Sequence, residues 1–345
     1  MKLQLTVIVL FLFTSIRGTP YRNGVRIRWK PLGSPTHPLP LPPQPQPPTP
    51  ILSIQPQTPI VNVHPESGDP EGRIIGGYHA TTGQIYYQLR VSTYKNGKYG
   101  FCGGALVKYH SVQFGITAAH CVWDATQPKN TVMASDVRII AGEIDTKSFS
   151  RNEQYRDMER VVIYPTFNND DPDHSDDIAL LFWKEPLTLN RHANIIPLPP
   201  AIWPDPARVV ISGWGSTNPD TLANGTGATI PSVLQVLTIR TWDNKVCRSY
   251  AALDVDVTWK QMCVHQAGKD LGVCLGDSGG PAAGYDKKTR KFHLAGVLSY
   301  YLDKCGSRSF PAVYTKVGAY LSWIWSEVDI YSYVSFGNDN EITKK

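Results

Sequence analysis

Long apolar runs are nearly absent from this 345-residue chain. The exception is residues 3–13, interrupted only by Gln4 and Thr6. That is too short to cross a bilayer, which takes about 20 apolar residues. Lys2 precedes the run, and the small residues Thr14, Ser15 and Gly18 follow it, as in a cleaved secretory signal. Residues 1–18 are therefore expected to be removed, leaving an extracellular protein with no stable membrane association. Basic runs are lacking too. The net charge of +5 is scattered along the chain, which excludes nucleic acid as a partner. Cysteine is sparse: there are six, and the first is Cys102. In an exported chain they are expected to pair, and the sequence by itself leaves 15 pairings open.

Proline is the residue in excess. Half of the chain's 28 prolines lie between residues 31 and 70, including Pro38-Leu39-Pro40-Leu41-Pro42-Pro43. Proline removes a backbone donor and fixes φ, so residues 19–73 are read as an extended, disordered linker with no core of its own. Lacking cysteine, this segment is not a disulfide-bonded module. From Ile74 onward the pattern changes to short apolar stretches, such as 86–93, 104–108, 137–141, 209–213 and 294–299, separated by Gly, Pro and Asn turns. That spacing predicts an all-β sandwich or barrel.

The chemistry concentrates in three places. Gly276-Asp277-Ser278-Gly279-Gly280-Pro281 surrounds a hydroxyl with small residues. A serine attacks a carbonyl only with a base to take its proton and donors to hold the oxyanion. Glycines allow the backbone conformations that turn N–H groups inward, so the N–H groups of Gly276 and Ser278 are candidate oxyanion donors. The candidate base is His120. Of nine histidines it is the one in a small, apolar setting beside a cysteine, Thr117-Ala118-Ala119-His120-Cys121. The candidate orienting acid is Asp177. Asp170, Asp171, Asp173 and Asp176 crowd nearby, but only Asp177 leads directly into the apolar run Ile178-Ala179-Leu180-Leu181-Phe182.

These motifs, in the order His, Asp, Ser, resemble those of the chymotrypsin-like serine proteases; other triad hydrolases run in different orders. The resemblance covers about residues 74–328. It implies two six-stranded antiparallel β-barrels with a cleft between them and a closing C-terminal helix near 320–328, with Trp323 and Ile324 toward the core. Residues 329–345 are expected to be a fraying tail. It selects the disulfides Cys102–Cys121, Cys247–Cys263 and Cys274–Cys305. It implies a zymogen cut after Arg73 by a separate trypsin-like protease, the new amine of Ile74 then pairing with Asp277. With no cysteine in 19–73, nothing covalent would retain the front segment. Gly213-Trp214-Gly215 matches a landmark beneath the cleft. Ser299-Tyr300-Tyr301 matches the strand that pairs with substrate, with Tyr300 where the family usually has Trp.

The same resemblance puts Gly272 at the floor of the primary specificity pocket, where trypsin-like members have Asp. Tyr301 and Ala312 stand at wall positions that are usually glycine. Small or medium aliphatic substrate residues are therefore expected, with Asp270 and Asp303 the charges best placed to upset that preference. Glu143 and Glu153 match two acidic ligands of a calcium loop, with Ser150 where a third is common, so calcium is a weak candidate and no other cofactor is expected. Gly100 replaces a histidine that restrains many family zymogens. Asn224-Gly225-Thr226 is a glycosylation sequon. The expected partners are protein or peptide substrates and serpin-type inhibitors. The competing reading is an inactive, protease-like binding protein.

Overall fold

The computed structural model describes residues 74–337, apart from Asn96, 222–224, 250–255, Ala267 and Asp303. The expected signal, the proline-rich segment with Arg73, the Asn224 sequon and Asp303 lie outside the described residues. So do residues 338–345.

The strands in chain order are β1 (Tyr78–His79), β2 (Gln88–Lys95), β3 (Lys98–Tyr109), β4 (Val112–Thr117), β5 (Val137–Ala141), β6 (Gln154–Asp157) and β7 (Arg160–Ile163). They continue with β8 (Ala179–Phe182), β9 (Arg208–Gly213), β10 (Gln235–Arg240), β11 (Gln261–Val264), β12 (Pro281–Asp286), β13 (Lys291–Tyr301) and β14 (Ala312–Lys316). All pair antiparallel, in two sheets ordered β6-β5-β2-β3-β4-β8-β7 and β1-β10-β9-β12-β13-β14-β11.

Each sheet thus counts seven strands where six were expected, for a different reason in each. In the first, β6 and β7 are the two sheet edges yet are separated only by Met158 and Glu159. The Met158 N–H donates to Val137 of β5, and the Glu159 N–H donates to Phe182 of β8. One bent strand therefore closes this barrel on itself. In the second, the end of β10 meets β11 through the Thr241–Val264 bridge and the Trp242 N–H to Cys263 O bond of 2.9 Å. That closes six strands, and β1 is a two-residue addition paired to the start of β10.

Strand alternation explains why β8 reads as an uninterrupted apolar run. Successive side chains point to opposite faces. Leu181 enters the first barrel's core with Leu89, Val91 and Ile139, while Leu180 and Phe182 enter a core shared by both barrels with Phe114, Val236 and Leu294. A third core fills the second barrel around Ile211, Met262 and Tyr314.

The C-terminal helix, Leu321–Phe336, corrects the expected tail at residue 329. Ile324, Val328 and Tyr331 fall on one face at helical spacing and are all buried. The Tyr331 ring stacks on Phe182 at 4.6 Å, and its hydroxyl donates to Glu159 Oε2 at 2.6 Å. The apolar stripe does not stop at Val328, so neither does the helix. No described helix is long and apolar enough to cross a membrane.

Candidate active site

The pairing of β4 with β8 sets Thr117 opposite Ala179. Because the strands are antiparallel, the residues just after β4 and those just before β8 emerge at the same barrel end. That register brings His120 and Asp177 together. His120 lies in the 3-10 turn Ala119–Val122, beside fully buried Ala118 and Ala119. The turn is tied to β3 by the Cys102–Cys121 disulfide. The other expected bridges, Cys247–Cys263 and Cys274–Cys305, are also formed.

Asp177 is completely buried. Its Oδ2 lies 2.8 Å from His120 Nδ1, and its Oδ1 accepts the His120 N–H at 2.9 Å. The Ser299 hydroxyl of β13 donates to Oδ2 at 2.5 Å, and Thr315 Oγ1 of β14 donates to the Asp177 carbonyl at 2.9 Å. Burial alone would raise this carboxyl's pKa. The adjacent His120 charge and the hydrogen bonds from His120 and Ser299 hold it below the usual carboxylate range. Asp176, its neighbour, has φ of 60° and turns the other way, onto Lys260, Tyr320 and Thr166.

The Ser278 loop is seated against the same end of the first barrel. The Ser278 carbonyl accepts the Gly103 N–H of β3 at 2.7 Å. Gly279 has φ of 74°, and a Cβ there would overlap the Thr117 hydroxyl and the Gly103 carbonyl oxygen. Gly276 has φ of 100°, and a Cβ there would meet the Phe101 ring at 2.9 Å. Among the described residues, neither the Gly276 nor the Ser278 N–H donates to a protein acceptor, and the Ser278 hydroxyl has no hydrogen-bond partner.

Asp277 turns the opposite way from Ser278, into the second barrel. It is 1% exposed, and it accepts from the Gly215 N–H at 2.8 Å and the Cys274 N–H at 2.9 Å. Side chains at Gly213 or Gly215 would overlap its carboxylate. No basic side chain pairs with it among the described residues, and burial pushes its pKa up to about 6. Ile74 is fully buried in the second barrel's core, and Ile75 exchanges backbone hydrogen bonds of 3.1 and 3.0 Å with Gly272.

Gly272, Tyr301 and Ala312 converge on a cavity also lined by Leu271, Val273 and Phe310. The space barely admits one water molecule. Among the described residues its lining includes Lys304 and His265 but no carboxylate. Asp270 is instead spent on Arg308, through a short bond to Nη2 of 2.5 Å.

The calcium candidates do not fit a calcium site. Both oxygens of Glu143 are held by Arg90, Nε on Oε2 at 2.5 Å and Nη2 on Oε1 at 3.0 Å. Glu153 accepts from the Ser150 N–H at 2.9 Å and the Ser150 hydroxyl at 2.7 Å, which leaves only its buried Oε2 uncommitted.

Sequence reasoning missed three contacts: the Ser299 and Thr315 clamps on Asp177, and Lys95, whose Nζ donates to the carbonyls of Trp123 and His120. A motif reveals residue types near one another in the chain. These partners come from distant strands, and nothing local marks them.

A family model described as Trypsin matches residues 74–324. Trypsin-1 of Astacus astacus is 32% identical over 256 residues, covering 73% of this chain and 98% of that protein. The trypsin of Sus scrofa is 30% identical over 258 residues, covering 74% and 96%. Cationic trypsin-3 of Rattus norvegicus is 30% identical over 262 residues, covering 75% and 91%.

Proposed function

The chain belongs to the trypsin family and is a serine-type endopeptidase, and from that premise we propose that His120, Asp177 and Ser278 form its catalytic triad. The observation that carries this reading is the buried carboxylate of Asp177, held 2.8 Å from His120 Nδ1. With Nδ1–H directed at Asp177, Nε2 is left free to accept a proton. Ser278 Oγ attacks the substrate carbonyl carbon as His120 Nε2 takes the hydroxyl proton. The carbonyl electrons move to oxygen, which the free N–H groups of Gly276 and Ser278 stabilise. Collapse breaks the C–N bond, and His120 returns the proton to the departing amine. Water, deprotonated by the same ring, then releases the acyl group.

The protein is secreted as a zymogen. Cutting at Arg73–Ile74 frees an amine that pairs with Asp277, a buried carboxylate supported by two N–H donors and, among the described residues, no cation. The substrates are proteins or peptides, cut after small or medium apolar residues. Among the described residues the cavity beside Gly272 carries no acid to receive Arg or Lys, and a buried cation without a partner is costly. The enzyme therefore cannot efficiently cut its own Arg73. Its activator is a trypsin-like protease, and serpin-type proteins are its natural inhibitors.

The test is a burst assay with an active-site acylating ester, run on the secreted chain after treatment with trypsin. One equivalent of burst in the wild type and none in Ser278→Ala is expected. A burst in Ser278→Ala, or none in the wild type, would overturn the reading; the second result would favour the inactive binding protein.

A further inference from the structure

The loop between β5 and β6 already contains a cation of its own. Arg90 of β2, Ile140 of β5 and Tyr155 of β6 stand in one cross-strand row. Leu89 and Val91 point into the barrel, so Arg90 points out, toward the loop. There its fork grips Glu143, which is only 8% exposed, through the two bonds of 2.5 and 3.0 Å. Planar, two-point pairing is the geometry guanidinium and carboxylate share.

The grip fixes a junction. Ile144, next in the chain, accepts from the Leu234 N–H at 2.8 Å and from Trp214 Nε1 at 3.3 Å. Asp145 bridges Val233, and the Thr146 N–H donates to Ser232 O at 2.9 Å. The loop thus fastens the first barrel to the segment that carries Gly215, a donor to Asp277.

We propose that the Arg90 guanidinium stands in for a divalent cation here, so that the loop is held closed without calcium. Calcium takes six to eight oxygens, several of them charged. To recruit Glu143 it would have to displace Arg90 and leave a guanidinium without its partner beside a doubly charged ion. Ser150 supplies no third carboxylate, and Glu153 has one free oxygen. An arginine cannot be chelated away, so the loop keeps its cation in any medium.

The test is thermal unfolding and calorimetric calcium titration of the full chain, wild type and Arg90→Gln. The wild type should melt at the same temperature in EDTA and in millimolar calcium, and should bind no calcium. Arg90→Gln frees both Glu143 oxygens, on the same loop as the uncommitted Glu153 Oε2. It should melt about 5 °C lower in EDTA, recover part of that loss in calcium, and bind one calcium ion. If the wild type binds one calcium that Glu143→Gln abolishes, or gains several degrees from it, the proposal fails. It also fails if Arg90→Gln melts like the wild type, or if calcium restores none of the loss. Should Arg90→Gln not fold, the wild-type titration decides the matter.

Discussion

At the residue scale the most informative group is Asp177. A carboxylate with no solvent contact stays ionised only when the protein replaces the lost water, and His120 and Ser299 do so from two different barrels. Ser299→Ala should cost about 1.5–3 kcal/mol in urea unfolding, the scale of a hydrogen bond to a charged group. It should also lower kcat/KM about tenfold by loosening the His120 ring. The sign in pH follows from the lowered pKa. The contribution of Asp177 is present above its unfolded value and is lost as pH falls through its folded value. Without Ser299 the folded value rises, so acid unfolding should begin at a higher pH. Unchanged acid unfolding would mean that Ser299 adds nothing to Asp177. The role proposed for Tyr301 concerns a different property. Replacing it with glycine removes the half-buried ring that lines the cavity beside Gly272. A peptide-library profile of Tyr301→Gly should shift toward Phe, Tyr and Leu with no gain for Arg or Lys, because the described lining residues include no acid. A gain for basic residues would locate an acidic contact elsewhere.

At the element scale, β8 and the C-terminal helix hold the site in place. β8 is buried on both faces, which keeps the start of that strand, and Asp177 with it, from moving. The helix covers the shared core and ends its packing at Tyr331, over Phe182 of β8. Tyr331→Ala should therefore lower the unfolding free energy by about 3–5 kcal/mol, the range for deleting a buried aromatic ring. A loss under about 1 kcal/mol would show that the domain does end near Val328. The Glu159–Tyr331 bond links the same helix to the bend that closes the first barrel, so Tyr331→Phe should show a smaller loss of about 1 kcal/mol.

At the scale of the whole molecule, the activation proposed above is the creation of one charge. In the uncut chain Asp277 is buried with no cation beside it among the described residues, and its pKa is pushed up to about 6. Its folded value lies above its unfolded value of about 4, so the folded chain holds the proton longer. Stability from this group is greatest at low pH and falls as pH rises through about 6. Between pH 4 and pH 7.5 the uncut chain should lose about 2 kcal/mol relative to Asp277→Asn. After cleavage the Ile74 amine should reverse much of that loss at neutral pH, and should release it again as pH rises through the amine's own raised pKa. Urea unfolding of cut and uncut protein at several pH values measures both limbs. If the two forms show the same pH dependence, Asp277 is not the partner of the amine. An Arg73→Gln chain treated with trypsin should show only the uncut behaviour.

The chain's local patterns carried a great deal. Period-two apolar stretches predict strands because neighbouring residues alone decide which faces are greasy. The small residues around Ser278 and His120 predict close backbone approach because glycine and alanine leave the room for it. The three disulfides followed from the family resemblance. Other features depend on residues far apart in the chain, and only the tertiary structure decided them. Asp176 and Asp177 are chemically identical, and the left-handed backbone at Asp176 sends one to Lys260 and the other to His120. The helix outlasts residue 328 because Phe182 offers Tyr331 a surface. The seventh strand of the first sheet reflects how a barrel closes, a property of two edges meeting, and that of the second is the short β1 added beside β10. Glu143 looks like a calcium ligand to any reader of its loop. Arg90, on a strand paired through β5, takes both its oxygens because a fork that is already in place outcompetes an ion that must shed its water.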